Sequence, residues 1–335
     1  MMTLPTRQIG PFTVSSIGLG CMNLCHAYGI PPSPEDGAKL LNRALDLGVT
    51  FLDTAAIYGL GASERLIASA VMHRKDEFTL ASKGVMDAID GKRVLDGSPL
   101  AITATLDRAL QRLGTDRIDL YYLHRLDRKV PIEESVGALV RAKEAGKIGA
   151  IGLSEMGAAT IRRAHAVHPI AAVQSEYSPL VRNPEVAVLD TCRALGIGFV
   201  AFSPVARGML ARGVRDDGYE PHDIRTTMPR FLGDNLLHNL EVVAKFETLA
   251  AGIGCTPAQL ALAWVLAKDD NIVPIPGTRS IAHLEENVGA ASVSLTHETL
   301  AAIEAIFAGT IRGARYAPFA QATVDTELLP DEELA

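Results

Sequence analysis

The chain alternates short apolar runs with longer stretches in which apolar residues return every third or fourth position. These are the signatures of buried strands and of amphipathic helices. Arg7-Gln8-Ile9 and Phe12-Thr13-Val14 flank Gly10-Pro11 and predict a small hairpin. Ser16 to Gly20 predicts a first strand. Ser33-Pro34-Glu35-Asp36 opens a helix, with a serine N-cap, proline at the first helical position and acids in the first turn. Leu40, Leu41, Ala44 and Leu45 make its inner face, and Gly48 ends it. Val49, Phe51 and Leu52 then form a run suited to a strand buried on both faces, which stops at Asp53.

The unit recurs. A strand reaching Lys83 leads through a polar loop at 87–97 to a helix from Ser98-Pro99, with Ile102, Leu106, Leu110 and Leu113 on one face and Gly114 as its stop. Further strands are predicted from Ile118 to Leu123, Ile148 to Leu153, Ala171 to Gln174, Ile197 to Phe202 and Ile272 to Ile275. Between them lie helices from about Ile132 to Ala145, Ala158 to Val167, Glu185 to Leu195 and Ala258 to Ala267, the last capped by Thr256-Pro257. Eight strand–helix units, most at roughly thirty-residue spacing, match an eightfold barrel of about 250 residues plus insertions. The fold predicted is a (β/α)8 TIM barrel with an N-terminal β-hairpin cap and long loops on its C-terminal face.

The longest loop, 206–240, contains Arg207-Gly208-Met209-Leu210 and the charged Arg215-Asp216-Asp217-Gly218 and ends in a helix. Loops of that length usually carry function. One barrel domain is expected over 1–335, with the Ala-, Pro- and acid-rich end from about 318 as a flexible tail. A doubly wound nucleotide-binding sheet is the rival. Its glycine fingerprint is approached at Gly18-Leu19-Gly20-Cys21-Met22-Asn23 and at Gly59-Leu60-Gly61-Ala62-Ser63-Glu64, and each lacks the third glycine. No P-loop and no helix with paired histidines occurs, and His124-Arg125-Leu126-Asp127 lacks the partner motifs of a kinase catalytic loop.

Composition narrows the function. A net charge of −7 with no basic block argues against nucleic acid as a partner. The mixed-sign Arg125-Leu126-Asp127-Arg128-Lys129 cluster reads as a solvated surface. No apolar run approaches the ~20 residues of a membrane span, and no signal sequence opens the chain. Cys21, Cys25, Cys192 and Cys255 make neither a metal pattern nor a disulfide framework, so a reducing cytoplasm and no metal are expected. No feature of the pattern specifies an oligomeric state.

Candidate chemistry gathers at strand ends. Asp53, Lys83 and His124 close the second, third and fourth predicted strands, and Tyr58 lies just beyond the second. Singly, Asp53 is a turn cap and Tyr58 a half-buried core tyrosine. In an eightfold barrel, however, all carboxyl ends face one mouth, where active sites are built. A phenol of pKa ~10 is a poor acid at neutral pH, and an ammonium ~4 Å away favours its phenolate by roughly 4 kcal/mol before desolvation takes some back. Asp53 would keep Lys83 charged, and His124 would hydrogen-bond a substrate oxygen.

Asp53-Thr-Ala-x-x-Tyr58-Gly, Ser82-Lys83 and Leu123-His124, with Leu113 to Tyr121, Ile275-Pro276-Gly277-Thr278-Arg279 and Glu286-Asn287, resemble the aldo-keto reductase superfamily from Ser16 to about Gly289. The resemblance implies a catalytic tetrad of Asp53, Tyr58, Lys83 and His124 that reduces a small-molecule aldehyde or ketone. It also implies NADPH, with NADH possible, lying across the mouth. Ser154 and Gln174 would hold the carboxamide, Phe202 would stack on the nicotinamide, and Ser203, Arg207, Gly208 and Leu210 would hold the pyrophosphate. Gly277, Thr278, Arg279, His283, Glu286 and Asn287 match the adenosine end, and Met22 and Asp53 complete the cofactor set. Three positions depart from the family pattern: Glu155 for asparagine, Phe202 for tyrosine and His283 for arginine. The likeness is to the aryl-alcohol-dehydrogenase and perakine-reductase branch. Some relatives, such as potassium-channel β subunits, hold the cofactor mainly as redox-sensing partners, which is the alternative function.

Overall fold

The computed structural model describes residues 4–89, 92–214, 218–309 and 311–334; Arg215, Asp216 and Asp217 of the charged loop lie outside them. The eight predicted strands form one parallel sheet: β1 (Leu19–Gly20), β2 (Phe51–Asp53), β3 (Thr79–Gly84), β4 (Ile118–Leu123), β5 (Ile148–Ser154), β6 (Ala172–Glu176), β7 (Gly198–Phe202) and β8 (Ile272–Pro274). Gly18 N donates to Pro274 O at 2.9 Å and Gly20 N to Pro276 O at 3.3 Å, so β1 meets β8 and the sheet closes. All-parallel sheets must be covered, and the helices do this from outside.

Side chains alternate across the barrel wall. Phe51, Ala81, Leu120, Tyr122, Ala150, Ala172, Val200 and Val273 point inward and form one apolar cluster. The residues between them, such as Leu52, Leu80, Tyr121, Ile151, Val173 and Phe199, pack outward under the helices. The predicted hairpin pairs Thr6–Ile9 with Phe12–Ser15, and its Ile9 and Val14 join the inner cluster at the amino ends of the strands. A Cβ on Gly198 would sit 3.0 Å from Ile9 Cα, so glycine lets this cap pack closely. With the floor sealed, the opposite end is where a ligand can enter.

The helices keep the predicted signals. Helix α1 (Pro34–Asp46) starts on the Ser33 hydroxyl, which accepts from Asp36 N at 3.1 Å. Helix α3 (Pro99–Leu113) uses Ser98 likewise, and α8 (Pro257–Lys268) carries a full Thr256–Gln259 capping box. Helices α4 (Ile132–Glu144), α5 (Ala158–Val167) and α6 (Val188–Leu195) follow the expected spans within a few residues, and α7 (Gly233–Gly252) ends the long loop.

Four features differ from the pattern's prediction. Helix α2 (Ala62–Val71) begins on Gly61 without a side-chain cap, so no start signal announces it. The expected loop at 87–97 is largely a second hairpin, Met86–Ile89 with Lys92–Leu95. Helices α9 (Ile281–Gly289) and α10 (His297–Phe307) extend the chain past β8.

The expected flexible tail is instead docked. Arg315 is 2% exposed and pairs with Glu155 at 3.2 Å, Asp325 Oδ2 accepts from Gly157 N at 3.0 Å, and Asn183 Nδ2 donates to Glu327 O at 3.0 Å. Composition alone reports the polarity of this segment, not the buried partners waiting for it. Among the described residues no single helix is long and apolar enough to cross a membrane.

Candidate active site

The alternation that fills the barrel turns polar at its carboxyl end. Two residues past Phe51, Ala81, Tyr122 and Ala172 on the same inward row stand Asp53, Lys83, His124 and Gln174. Register makes them neighbours, because Asp53 pairs with Ala81, and Lys83 with Tyr122, across adjacent strands. Lys83 Nζ forms an ion pair with Asp53 Oδ1 and donates to Thr54 O at 2.9 Å and to the Tyr58 hydroxyl at 3.4 Å. Gln174 Nε2 donates to the other Asp53 oxygen at 2.8 Å. The His124 ring meets the Tyr58 ring edge-on, centroids 5.8 Å apart. All four expected catalytic side chains therefore lie at one mouth.

Tyr58 is aimed by the turn that follows β2. Tyr58 N donates to Ala55 O at 3.1 Å, and Tyr58 O accepts from Ser63 N at 3.3 Å at the head of α2. Ser63 is itself fixed by the Thr54 hydroxyl at 2.8 Å. The phenol is half-buried, while Lys83 and Asp53 behind it are buried.

Electrostatics there set burial against pairing. Burial pulls the Lys83 ammonium down, but Asp53 and Tyr58 together more than offset it, so its pKa stands above the ordinary lysine value. Burial raises Asp53, opposed by Lys83 and by the Gln174 hydrogen bond. Tyr58 differs from expectation. Burial raises its pKa by more than Lys83 lowers it, so without a ligand the phenol is held protonated. A protonated phenol touching a protonated amine is a proton donor with a conjugate base already stabilised.

Above the tetrad opens a cavity of about 740 Å³. Asp53, Ser154, Gln174 and Phe202 line it from the strand ends, and Met22, Ser203 and Gly208 from the loops. Gly277, Thr278, Arg279 and His283, then Glu286 and Asn287 of α9, line it further along the chain. A Cβ on Gly277 would fall 2.6 Å from Asn23 Oδ1, so the Asn23 side chain packs close against this rim. Arg279 donates to Ile30 O and makes no ion pair among the described residues.

Of the expected cofactor residues, Leu210 stands outside the cavity and Arg207 is committed within the protein. Leu210 is fully buried in the outer core and does not line the cavity, although its neighbour Gly208 does. Arg207 does line it, but its guanidinium is committed to Glu176 at 2.8 and 3.1 Å and to the Tyr316 hydroxyl at 3.0 Å. Glu155, which stands where the family pattern has asparagine, is engaged away from the cavity. It accepts from Glu176 N at 2.7 Å and pairs with Arg315, so it anchors the chain end.

Several wall residues fall outside the site residues named from the sequence. Met86, Val94 and Leu95 come from the second hairpin and Phe319, Ala320 and Val324 from the docked end. Arg125, assigned there to a solvated cluster, lines the cavity and donates to His124 O at 2.7 Å and Ser154 Oγ at 3.2 Å. Its position next to His124 was the available signal. Cys21 is buried and Cys25 partly so, and burial pushes both thiols up, away from reactive thiolate.

A closed parallel barrel with polar side chains gathered at the carboxyl ends of its strands is the frame of the (β/α)8 enzymes. The chain belongs to the aldo/keto reductase family, whose model matches residues 16–308. It is thus an oxidoreductase by class. It is 44% identical over 340 residues to aldo-keto reductase yakc of Schizosaccharomyces pombe, a relative with NADP(+) in its name, covering 98% of this chain and all of that one. Aldo-keto reductase str7 of Strobilurus tenacellus is 42% identical over 342 residues, with 98% and 100% covered. Among solved structures, glycerol dehydrogenase from Gluconobacter oxydans superposes with a TM-score of 0.83 at 25% identity, covering 98% of this chain and 99% of that one. The holo form of an aldo-keto reductase from Bacillus halodurans superposes with a TM-score of 0.76 at 26% identity, covering 95% and 99%.

Proposed function

We propose that this protein is a cytoplasmic, single-domain, NADPH-dependent carbonyl reductase in which Tyr58 donates the proton to the substrate oxygen. The observation that carries the reading is the buried Asp53–Lys83 pair with the Tyr58 hydroxyl 3.4 Å from the ammonium, at the floor of the cavity. A lone buried ion pair needs no phenol beside it and no cavity above it.

The cavity fits a nicotinamide dinucleotide in kind. It offers the Phe202 ring and polar Ser154 and Gln174 together, and Gly277 at its rim presents backbone without a side chain. The Arg279 guanidinium supplies a cation suited to a phosphate. Bound NADPH would supply the hydride that no side chain can. The chain's own part is to hold the carbonyl oxygen between Tyr58 and His124, to give it the Tyr58 proton, and to stabilise the phenolate left behind by Lys83. Asp53 keeps Lys83 charged and in place, with Gln174 fixing the carboxylate.

The test is NADPH consumption across aromatic, aliphatic, sugar and pyridoxal carbonyls, for wild type and Tyr58→Phe. The ring is kept and the donor lost, so turnover should fall about 10²–10⁴-fold while NADPH affinity holds. Normal turnover in Tyr58→Phe sinks the proton-donor role. Tight NADPH binding with no carbonyl reduced by wild type would point instead to a redox-sensing subunit.

A further inference from the structure

We infer that Arg125 is a specificity residue that recognises an anionic group on the substrate, so that the preferred carbonyl compounds carry a carboxylate. The inference rests on the carbonyl-reductase reading and extends it from reaction to substrate class.

The cavity carries more positive than negative charge on a protein that is negative overall. Four arginines line it, 125, 207, 225 and 279, against the carboxylates Asp53 and Glu286. Most of this charge is accounted for. Asp53 is neutralised by Lys83, Arg207 by Glu176 and Arg225 by Asp223. Arg279 lies near Ile30 and the adenosine-matching residues. Arg125 remains. It follows the strand-end His124, it is partly buried, and no carboxylate lies within 4.0 Å of it among the described residues.

Its hydrogen bonds leave capacity to spare. One terminal nitrogen serves His124 O and Ser154 Oγ, at 2.7 and 3.2 Å. Nε and the other terminal nitrogen have no protein partner among the described residues. An arginine without a counter-charge, half removed from water, costs free energy unless an anion completes it. The planar fork suits a carboxylate, which can accept two N–H bonds at once.

The location ties this anion to the reacting carbonyl. The Arg125 charge reaches Tyr58, where it favours the ionised phenol. His124, one residue before it, has its ring against Tyr58. The remaining wall is apolar, from Met86, Val94 and Leu95 on one hairpin and Phe319 and Val324 of the docked chain end. A compound that fits both features has an aromatic or hydrocarbon body, a carbonyl for Tyr58 and His124, and a carboxylate for Arg125.

Matched pairs test this: 2-, 3- and 4-formylbenzoate against their methyl esters, with saturating NADPH and the full chain. The esters keep ring and carbonyl and lose only the charge. Wild type should prefer at least one carboxylate to its ester, and the preference should shrink as salt rises. Arg125→Gln should raise KM for that carboxylate by about 10- to 150-fold relative to its ester, the worth of a charge-assisted hydrogen bond, while any fall in kcat from losing the charge near Tyr58 is shared by acid and ester. Arg125→Lys should restore part of the preference. Equal losses on acid and ester, or a fall in kcat alone, would assign Arg125 to holding His124 and Ser154 and overturn the proposal. Reduction of every ester in preference to its acid by wild type would overturn it while leaving the reductase reading intact. Reduction of neither acid nor ester by an enzyme that reduces other carbonyls of the panel would likewise overturn the proposal alone, and only failure on the whole panel would overturn the reductase reading.

Discussion

Replacing Lys83 by methionine isolates the charge beside Tyr58, because methionine keeps an unbranched chain of similar reach and removes only the ammonium. The Nζ lies 3.4 Å from the phenol oxygen. At an effective dielectric of about 20, a unit charge at that separation favours the phenolate by about 5 kcal/mol. Burial works the other way and already holds Tyr58 above its ordinary value. Without Lys83 that burial is unopposed, and the phenol rises further. Asp53, whose pKa burial has raised, can take up a proton and need not remain as a bare buried charge.

The sign of the pH effect follows. In the proposed mechanism carbonyl reduction uses the protonated phenol, and a weaker acid gives its proton up less readily, so kcat should fall about 10²–10⁴-fold. Alcohol oxidation needs the phenolate, which exists above the pKa. Its rate should therefore rise only at higher pH in Lys83→Met than in wild type. The assay is kcat against pH in both directions at saturating NADPH or NADP+. Asp53→Asn is the comparator: Lys83 keeps its bonds to Thr54 and Tyr58 but loses its counter-charge, so the loss of rate should be smaller. Breaking that buried pair should still cost stability, by about 3–5 kcal/mol. Full activity in Lys83→Met, or an oxidation profile that does not move, would refute the coupling between the two side chains.

Arg279→Ala should weaken NADPH about 10- to 150-fold, the range for one charge-assisted hydrogen bond, and leave NADH nearly unchanged. Titration of both cofactors checks it, and equal losses would make Arg279 a structural residue that braces Ile30. Glu155→Gln leaves the Arg315 guanidinium buried without its partner, at a cost of about 3–5 kcal/mol, and should release the end of the chain. Hydrogen exchange over 311–334 should quicken while the barrel strands stay protected, and unchanged protection would show that the other contacts suffice. Because Phe319 and Val324 belong to the cavity wall, KM for bulky carbonyls should change in the same variant.

Much of this architecture was written in the local sequence. Apolar runs bounded by polar turns marked each strand, since a strand covered on both faces has no polar positions to spare. Serine or threonine before proline marked α1, α3 and α8, since a cap and a proline at the first turn act within a few residues of chain. The tetrad was legible for a related reason: Asp53, Lys83 and His124 interrupt apolar rows where a strand surfaces, and the barrel brings all such ends to one mouth. By contrast α2 lacked a capping side chain, and the Met86–Ile89 and Lys92–Leu95 hairpin is polar enough to resemble a loop.

What the sequence could not decide was pairing across long separations. Arg207 and Glu176 are 31 residues apart, Glu155 and Arg315 are 160, and neither neighbourhood names the other. Their ion pairs commit the Arg207 guanidinium to an internal partner and bring the end of the chain into the wall of the cavity. The balance at Tyr58 was beyond the sequence for the same reason. The lysine's attraction could be foreseen from adjacent strands, but the desolvation that outweighs it depends on how many distant segments close around one phenol. Arg125 shows the point most plainly. In the chain it sits among charges of both signs and looks solvated, whereas in the fold Asp127 is occupied by Gly97 N and Lys129 N, Arg128 turns to Asp325, and Arg125 lines the cavity.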